Sequence, residues 1–367
     1  MLAAAEFEHW FRLLETPELG RGRARRLLAA FGDPATILSA PFEALREVAG
    51  PSLAGALARE TPGFAGRLSA ARAWLDGGPG RDVITLGDAR YPPLLLQTAD
   101  PPLLLYAHGN LALLGKPAIA IVGSRSPSAQ GRDNARAFAR ELADHGLVVV
   151  SGLAQGIDGA AHEGALAGAA GTIAVVGTGP DRVYPARHLE LAHRIAARGL
   201  LLSEFAPGMP PLPDNFPLRN RIIAGLSLGT LVVEAAIRSG SLITARLASE
   251  AGREVFAIPG SIHSPQAKGC HWLIQQGAKL VESAADIVDE LAGTRGERQA
   301  EVTDLFGDDA SADPLLDALG DDPVTLDALL ARTGWPTPDL TARLLELELD
   351  GAVARLPGGL YQRRHAG

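Results

Sequence analysis

The chain has 367 residues, 47% of them hydrophobic and 21% charged, which excludes a disordered protein and suits two or three globular domains. A single cysteine, Cys270, excludes an internal disulfide framework and a four-cysteine zinc site. The formal net charge of −8 argues at first against a nucleic-acid partner, but the excess acid is localised: residues 112–290 hold 16 basic and 16 acidic side chains, whereas 291–367 hold 7 and 14.

The opening stretch MLAAAEFEHWFRLLE carries acids where a secretory leader needs bases, and no apolar run approaches the roughly 20 residues of a membrane span. A cytoplasmic protein without a membrane partner is expected. Residues 1–80 read as a helical domain. Phe7, Trp10, Phe11 and Leu14 recur at helical spacing, and the run from Arg26 to Phe31 closes at Gly32. Leu19-Gly20-Arg21-Gly22 and Ala49-Gly50-Pro51-Ser52 loosely resemble helix-hairpin-helix turns, with a structural role preferred over DNA contact.

Residues 81–292 read as a doubly wound, mostly parallel α/β domain of the extended Rossmann kind. Short strands at 83–86 and 103–106 flank it. The main strands are expected at Ala118–Val122, Leu147–Val150, Thr172–Val176, Leu200–Ser203, Thr230–Val233, Glu254–Ile258 and Lys279–Val281. Their nearly continuous apolar character fits a sheet covered on both faces, with helices between most of them. Residues 293–312 are polar and aperiodic, as a linker would be. Residues 313–367 show three helical patterns and a hairpin, which suggests a winged helix. Its expected recognition helix carries Asp339, Arg343, Glu346, Glu348 and Asp350, a poor charge balance for reading duplex DNA.

Open α/β sheets bind ligands beyond the carboxyl ends of their strands. The segments that follow the strands here are rich in small residues: Gly123-Ser124-Arg125, Ser151-Gly152, Gly177-Thr178-Gly179, Arg219-Asn220-Arg221 and Ser239-Gly240-Ser241. Glycine and serine allow backbone N–H groups to approach an anion, and Arg125, Arg219 and Arg221 add planar forks suited to phosphate. These residues form the expected phosphate-binding cup. No G-x-G-x-x-G or Walker A pattern is present. Asp158 and His162, four apart, read as a cap and a packed histidine rather than an acid–base pair. The spacing of His263, Cys270 and His271 fits no usual zinc site, so no metal, cofactor or catalytic residue is expected.

The chain resembles the DNA-processing protein A (DprA/Smf) family. The resemblance rests on AIVGSR (120–125), SGLAQGID (151–158), VVGTG (175–179) with Tyr184-Pro185, FPLRNRIIAGLS (216–227), VVEA (232–235), SGSLITA (239–245), VFAIPGSI (255–262) and GCHWLIQQGA (269–278). It implies a homodimeric, non-enzymatic protein that binds single-stranded DNA and loads the RecA recombinase in natural transformation. Arg125 matches the family's pocket arginine, and the implied dimer surface lies around His271–Leu280 and includes His271, Trp272, Leu273 and Ile274. The Pro210–Asn215 loop contains Asp214 and no base, unlike some members, leaving Arg182 or Arg187 to compensate. The alternative is a nucleotide-hydrolysing Rossmann enzyme of the phosphoribohydrolase type. For that, Gly229-Thr230 and Glu234 are present, but the preceding Pro-Gly-Gly is not.

Overall fold

The computed structural model describes residues 2–293, 314–319, 324–349, 352–356 and 360–363. All but the first residue of the expected 293–312 linker lies outside the described residues, as do Asp350 and the Pro357-Gly358-Gly359 turn. Contacts divide the chain into two units, Met1–Thr294 and Arg295–Gly367.

The first unit opens with helices α1 (Ala4–Leu14), α2 (Arg21–Phe31), α3 (Pro34–Ser39), α4 (Phe42–Ala49), α5 (Pro51–Leu57) and α6 (Phe64–Asp76). Helix α1 buries Phe7, Trp10, Phe11 and Leu13, while Leu14 stays 38% exposed. The expected narrow stripe is displaced because α1 packs against both α3 and α6. Gly50, at φ 85°, joins α4 to α5, with Pro51 starting the second helix. The core of this helical layer continues onto the sheet through Val83, Leu103, Leu104 and Tyr106. Trp74 meets Tyr106 edge-on at 5.9 Å between ring centroids.

The sheet has nine strands: β1 (Arg81–Thr85), β2 (Leu104–Gly109), β3 (Ala118–Val122), β4 (Val148–Ser151), β5 (Thr172–Val176), β6 (Leu200–Ser203), β7 (Gly229–Val232), β8 (Glu254–Ala257) and β9 (Lys279–Leu280). Their order is β1-β2-β6-β5-β4-β3-β7-β8-β9. Strands β1 and β2 pair antiparallel, as do β2 and β6, and every other pair is parallel. Every residue of β3, β4, β5 and β6 is buried, which explains why they read as unbroken apolar runs.

Helices α7 (Pro93–Leu96), α8 (Ala129–Asp144), α9 (Ile157–Ala167), α10 (Leu189–Arg198), α11 (Asn215–Leu226), α12 (Gly240–Glu250), α13 (Lys268–Gln275) and α14 (284–293) complete the unit. Helices α8 and α9 pack closely because Gly164 has no side chain; a Cβ there would collide with the Arg136 carbonyl. From β3 the chain winds toward β6 on one side, then crosses back to β7 on the other. The loops after β3 and β7 thus diverge at a topological switch point, which opens a crevice between them.

The second unit contains α15 (Pro314–Leu319), β10 (Val324–Thr325), α16 (Leu326–Thr333), α17 (Thr337–Leu349), β11 (Val353–Leu356) and β12 (Leu360–Arg363). The strands form a sheet in the order β10-β12-β11, the winged-helix pattern. Leu315, Leu329, Leu340, Leu344, Val353 and Tyr361 form its core. The two-residue β10 was not anticipated, since two residues are too few to show alternation. Among the described residues, no helix is long and apolar enough to cross a membrane.

Candidate nucleic-acid interface

A cavity of about 710 Å³ opens at the switch point. Its lining includes Gly123, Ser124, Arg125 and Ser126 after β3, and Arg238, Ser239, Gly240 and Ser241 after β7. Phe216, Arg219 and Asn220 from α11 close another side. Ser239 Oγ lies 2.7 Å from Ser241 Oγ and accepts the Ser241 N–H, capping α12 at the cavity edge. Asn220 Nδ2 donates to the Gly240 carbonyl at 3.5 Å.

The three arginines of the sequence pattern have different environments. Arg125 is exposed, and its guanidinium carbon stands 6.0 Å from the Phe216 ring centroid. Arg219 is only 4% exposed and donates to the carbonyls of Gly152 and Val175, tying the loop after β4 to strand β5 beneath the cavity. Burial pulls its pKa down to about 10, so it remains charged at neutral pH and adds positive potential to the floor. Arg221 points away from the cavity. It pairs with Glu204 and lies 3.4 Å from Asp100, which also binds Arg21 and Arg25 at 2.7 and 2.5 Å. That network fastens the amino-terminal helices to the sheet layer. Arg219 and Arg221 were both expected among the phosphate contacts; carbonyls and carboxylates of this unit already hold them.

The backbone cup is also less open than expected. The Gly152 and Ala154 N–H groups donate to Asp158 Oδ2 at 3.1 and 3.3 Å, and the Leu153 N–H to His162 Nε2 at 3.3 Å. Asp158 thus reaches back to the loop preceding α9, and burial pushes its pKa up against the opposing charge of Arg219. The His162 Nδ1–H faces Thr172 Oγ1 at 2.8 Å, and that hydroxyl donates onward to the Val149 carbonyl. Leu153 is held at φ 56°, a rare value for a leucine. These three donors shape the loop and are not free for a ligand.

Ser151 is fully buried, its hydroxyl donating to the Ile121 carbonyl. Gly177, Thr178 and Gly179 form supports rather than lining. The Gly177 carbonyl accepts from Asn215, the Thr178 hydroxyl donates to the Arg182 carbonyl, and the Gly179 N–H donates to the Met209 carbonyl. A Cβ at Gly177 would lie 3.0 Å from the Phe216 ring, so this glycine lets the ring take its place.

Among the lining residues not anticipated as site residues, three bear aromatic rings or charge suited to a nucleotide. Phe216 and Tyr184 form an aromatic wall, with ring centroids 5.5 Å apart, and Tyr184 is half exposed. Arg238 is exposed at the rim. The signal for the aromatics was an aromatic beside a basic loop, as in FPLRN; no sequence signal distinguished Arg238 from a solvated surface arginine. Glu234, on which the hydrolase alternative rests, accepts the Ser128 N–H at 2.9 Å and also its hydroxyl, anchoring the start of α8.

In the expected dimer segment, Leu273 belongs to the core of its own chain, whereas Trp272 on the same helix is 45% exposed. Ile274 is half buried, and His271 Nε2 bonds the Gly260 carbonyl at 2.9 Å. Leu273 is thus removed from the expected outward set, because successive helical positions point about 100° apart.

The family model for DNA recombination-mediator protein A matches residues 82–292, and that for the DprA winged helix domain matches 299–359. The chain is 45% identical over 300 residues to Protein Smf of Escherichia coli, covering 80% of each. It is 52% identical over 203 residues to DNA processing protein DprA of Streptococcus pneumoniae, covering 55% of this chain and 72% of the relative. The solved structure of DNA processing protein A from S. pneumoniae matches with a TM-score of 0.68 at 38% identity, covering 79% of this chain and 98% of that one. A structure from Helicobacter pylori, described for the single-stranded DNA binding mode of its DNA processing protein A, matches with a TM-score of 0.52 at 32% identity, covering 58% and 97%.

Proposed function

Since the chain belongs to the DNA-processing protein A family, we propose that it binds single-stranded DNA in the cavity between the β3 and β7 loops. The observation that carries this reading is the exposed Arg125 fork standing over the face of Phe216. A phosphate and the base attached to it need such a combination of charge and aromatic surface. Stacking is indifferent to base identity and phosphate contacts carry no sequence information, so binding is sequence-independent. The acidic side chains Asp339, Glu346 and Glu348 are exposed on α17, and Arg343 is paired with Glu346 at 2.6 Å, which disfavours that helix as a duplex reader.

The proposal extends to a homodimer that holds a strand without cutting it and hands it to RecA during DNA uptake, as the family resemblance implies. Two weak pockets on one strand raise avidity while each stays exchangeable, which suits a handover. The test compares single- and double-stranded oligonucleotides of one sequence in a gel-shift titration. Salt-sensitive preference for the single strand is expected, together with faster RecA filament formation on strands coated with single-strand binding protein. A preference for duplex, or affinity indifferent to salt, overturns the reading.

A further inference from the structure

A second cavity, of about 250 Å³, adjoins the first, and Arg125 lines both. Its other basic walls are Arg132 and Arg136 from α8, and Arg187 and His188 from the segment before α10. Gly156 and Gly159 at the start of α9 supply the floor. Gly156 is held at φ 83°, and a Cβ there would strike the Ser124 carbonyl, so the β3 loop and the start of α9 touch beneath Arg125.

The chemistry of this cavity differs from that of the first. It has no Phe, Tyr or Trp in its lining, and its one aromatic ring, His188, packs against Gly159, where a Cβ would lie 2.9 Å from it, so it lacks the aromatic wall of the first cavity. Four arginines face one lining carboxylate, Glu163, which pairs with Arg136 at 3.0 Å. Arg187 is exposed, with no ion pair among the described residues. The His188 Nδ1–H lies 3.0 Å from the Leu153 carbonyl, which fixes the ring against the β4 loop.

We propose that this cavity is a phosphate subsite for the single strand leaving the first cavity, the backbone turning past Arg125 toward Arg132 and Arg187. The inference rests on the single-stranded DNA reading and adds a direction: bases stack at Phe216 and Tyr184 on one side of Arg125, and phosphate alone is held on the other. Glu163 tempers this subsite by engaging Arg136.

The test uses the full chain with two oligothymidylates, one of about 4 nucleotides that fills only the first cavity and one of about 16. Arg187→Ala and Arg132→Ala should each weaken binding of the longer strand by about tenfold and reduce its salt slope by about 0.7, the value for one neutralised phosphate. Binding of the short strand should not change. Glu163→Gln should tighten the longer strand only. If wild-type protein binds neither strand, the DNA reading itself falls. If wild-type binds both, but the variants leave the longer strand unaffected or weaken both strands equally, the subsite alone falls.

Discussion

The guanidinium carbon of Arg125 lies 6.0 Å from the centroid of the Phe216 ring. Arg125 comes from the β3 loop and Phe216 from the first turn of α11, across the crevice that the switch in strand order creates. The contact is a modest cation–π interaction in the free protein. Its larger consequence is to set a charge and a stacking surface within one nucleotide of each other.

Arg125→Ala should weaken single-stranded DNA binding by about ten- to a hundredfold, as expected for a charge-assisted contact of about 1.5–3 kcal/mol. The thermal midpoint should hold, since the side chain is exposed. A titration at several salt concentrations should also show a slope shallower by about 0.7. Full affinity in a folded variant would remove Arg125 from the site.

Phe216→Leu should lower affinity through lost stacking, worth about 1–3 kcal/mol per base, while leaving the salt slope intact. The contrast with Arg125→Ala separates base contact from phosphate contact. An altered slope with no loss at low salt would assign the ring a role in positioning Arg125 instead.

Arg219→Ala should destabilise the protein rather than merely weaken binding. The side chain is 4% exposed, bonds the carbonyls of Gly152 and Val175, and interacts with the charge of the buried Asp158. Removing one buried charge costs about 3–5 kcal/mol when the opposite charge is left behind. Asp158→Asn in the same chain should recover part of that loss, a coupling measurable by denaturant titration of the single and double variants. An unchanged midpoint for Arg219→Ala would show that its burial stabilises nothing.

His162 sets the direction of a pH dependence. Its Nε2 accepts the Leu153 N–H, so protonation would turn one donor against another, and burial holds its pKa down at about 3. The unfolded histidine titrates near 6.5. The native state therefore excludes a proton that the unfolded chain takes up. The stability contribution is complete above about pH 6.5 and is lost as pH falls toward 3, at up to about 1.4 kcal/mol per pH unit. Between pH 6.5 and about 5, above most carboxylates, His162→Gln should flatten the dependence of unfolding free energy on pH. An equal slope in wild type and variant would contradict this account.

For the proposed homodimer, Trp272→Glu and Leu280→Glu should give folded monomers, because these side chains are 45% and 44% exposed. Leu273→Glu should instead unfold the chain, since it buries a charge in the core. Light scattering combined with circular dichroism distinguishes the outcomes. A wild type that is monomeric at micromolar concentration sinks the dimer.

The sequence by itself determined the strands and the edge at which ligands can gather. Apolar runs such as Ala118–Val122 are specified locally, because a strand buried on both faces needs apolar side chains at every position. Glycine-rich segments at their carboxyl ends followed from the same parallel topology. The sequence also determined that Trp272, Leu273 and Ile274 cannot all face one core, because a helix turns about 100° per residue.

Which of them faces outward was decided only by packing. The same holds for the arginines. Arg125, Arg219 and Arg221 look alike in sequence, yet their environments depend on groups far away in the chain: the Val175 carbonyl for Arg219, Glu204 and Asp100 for Arg221. An arginine becomes a structural tie when folding brings a carbonyl or carboxylate within hydrogen-bonding reach, and a ligand contact when folding leaves it facing solvent. Likewise, glycine supplied loop N–H groups, but Asp158 and His162 had already taken three of them. Local sequence sets which groups are available; the tertiary fold sets which are already spent, because hydrogen bonds and ion pairs depend on distances that only long-range contacts define.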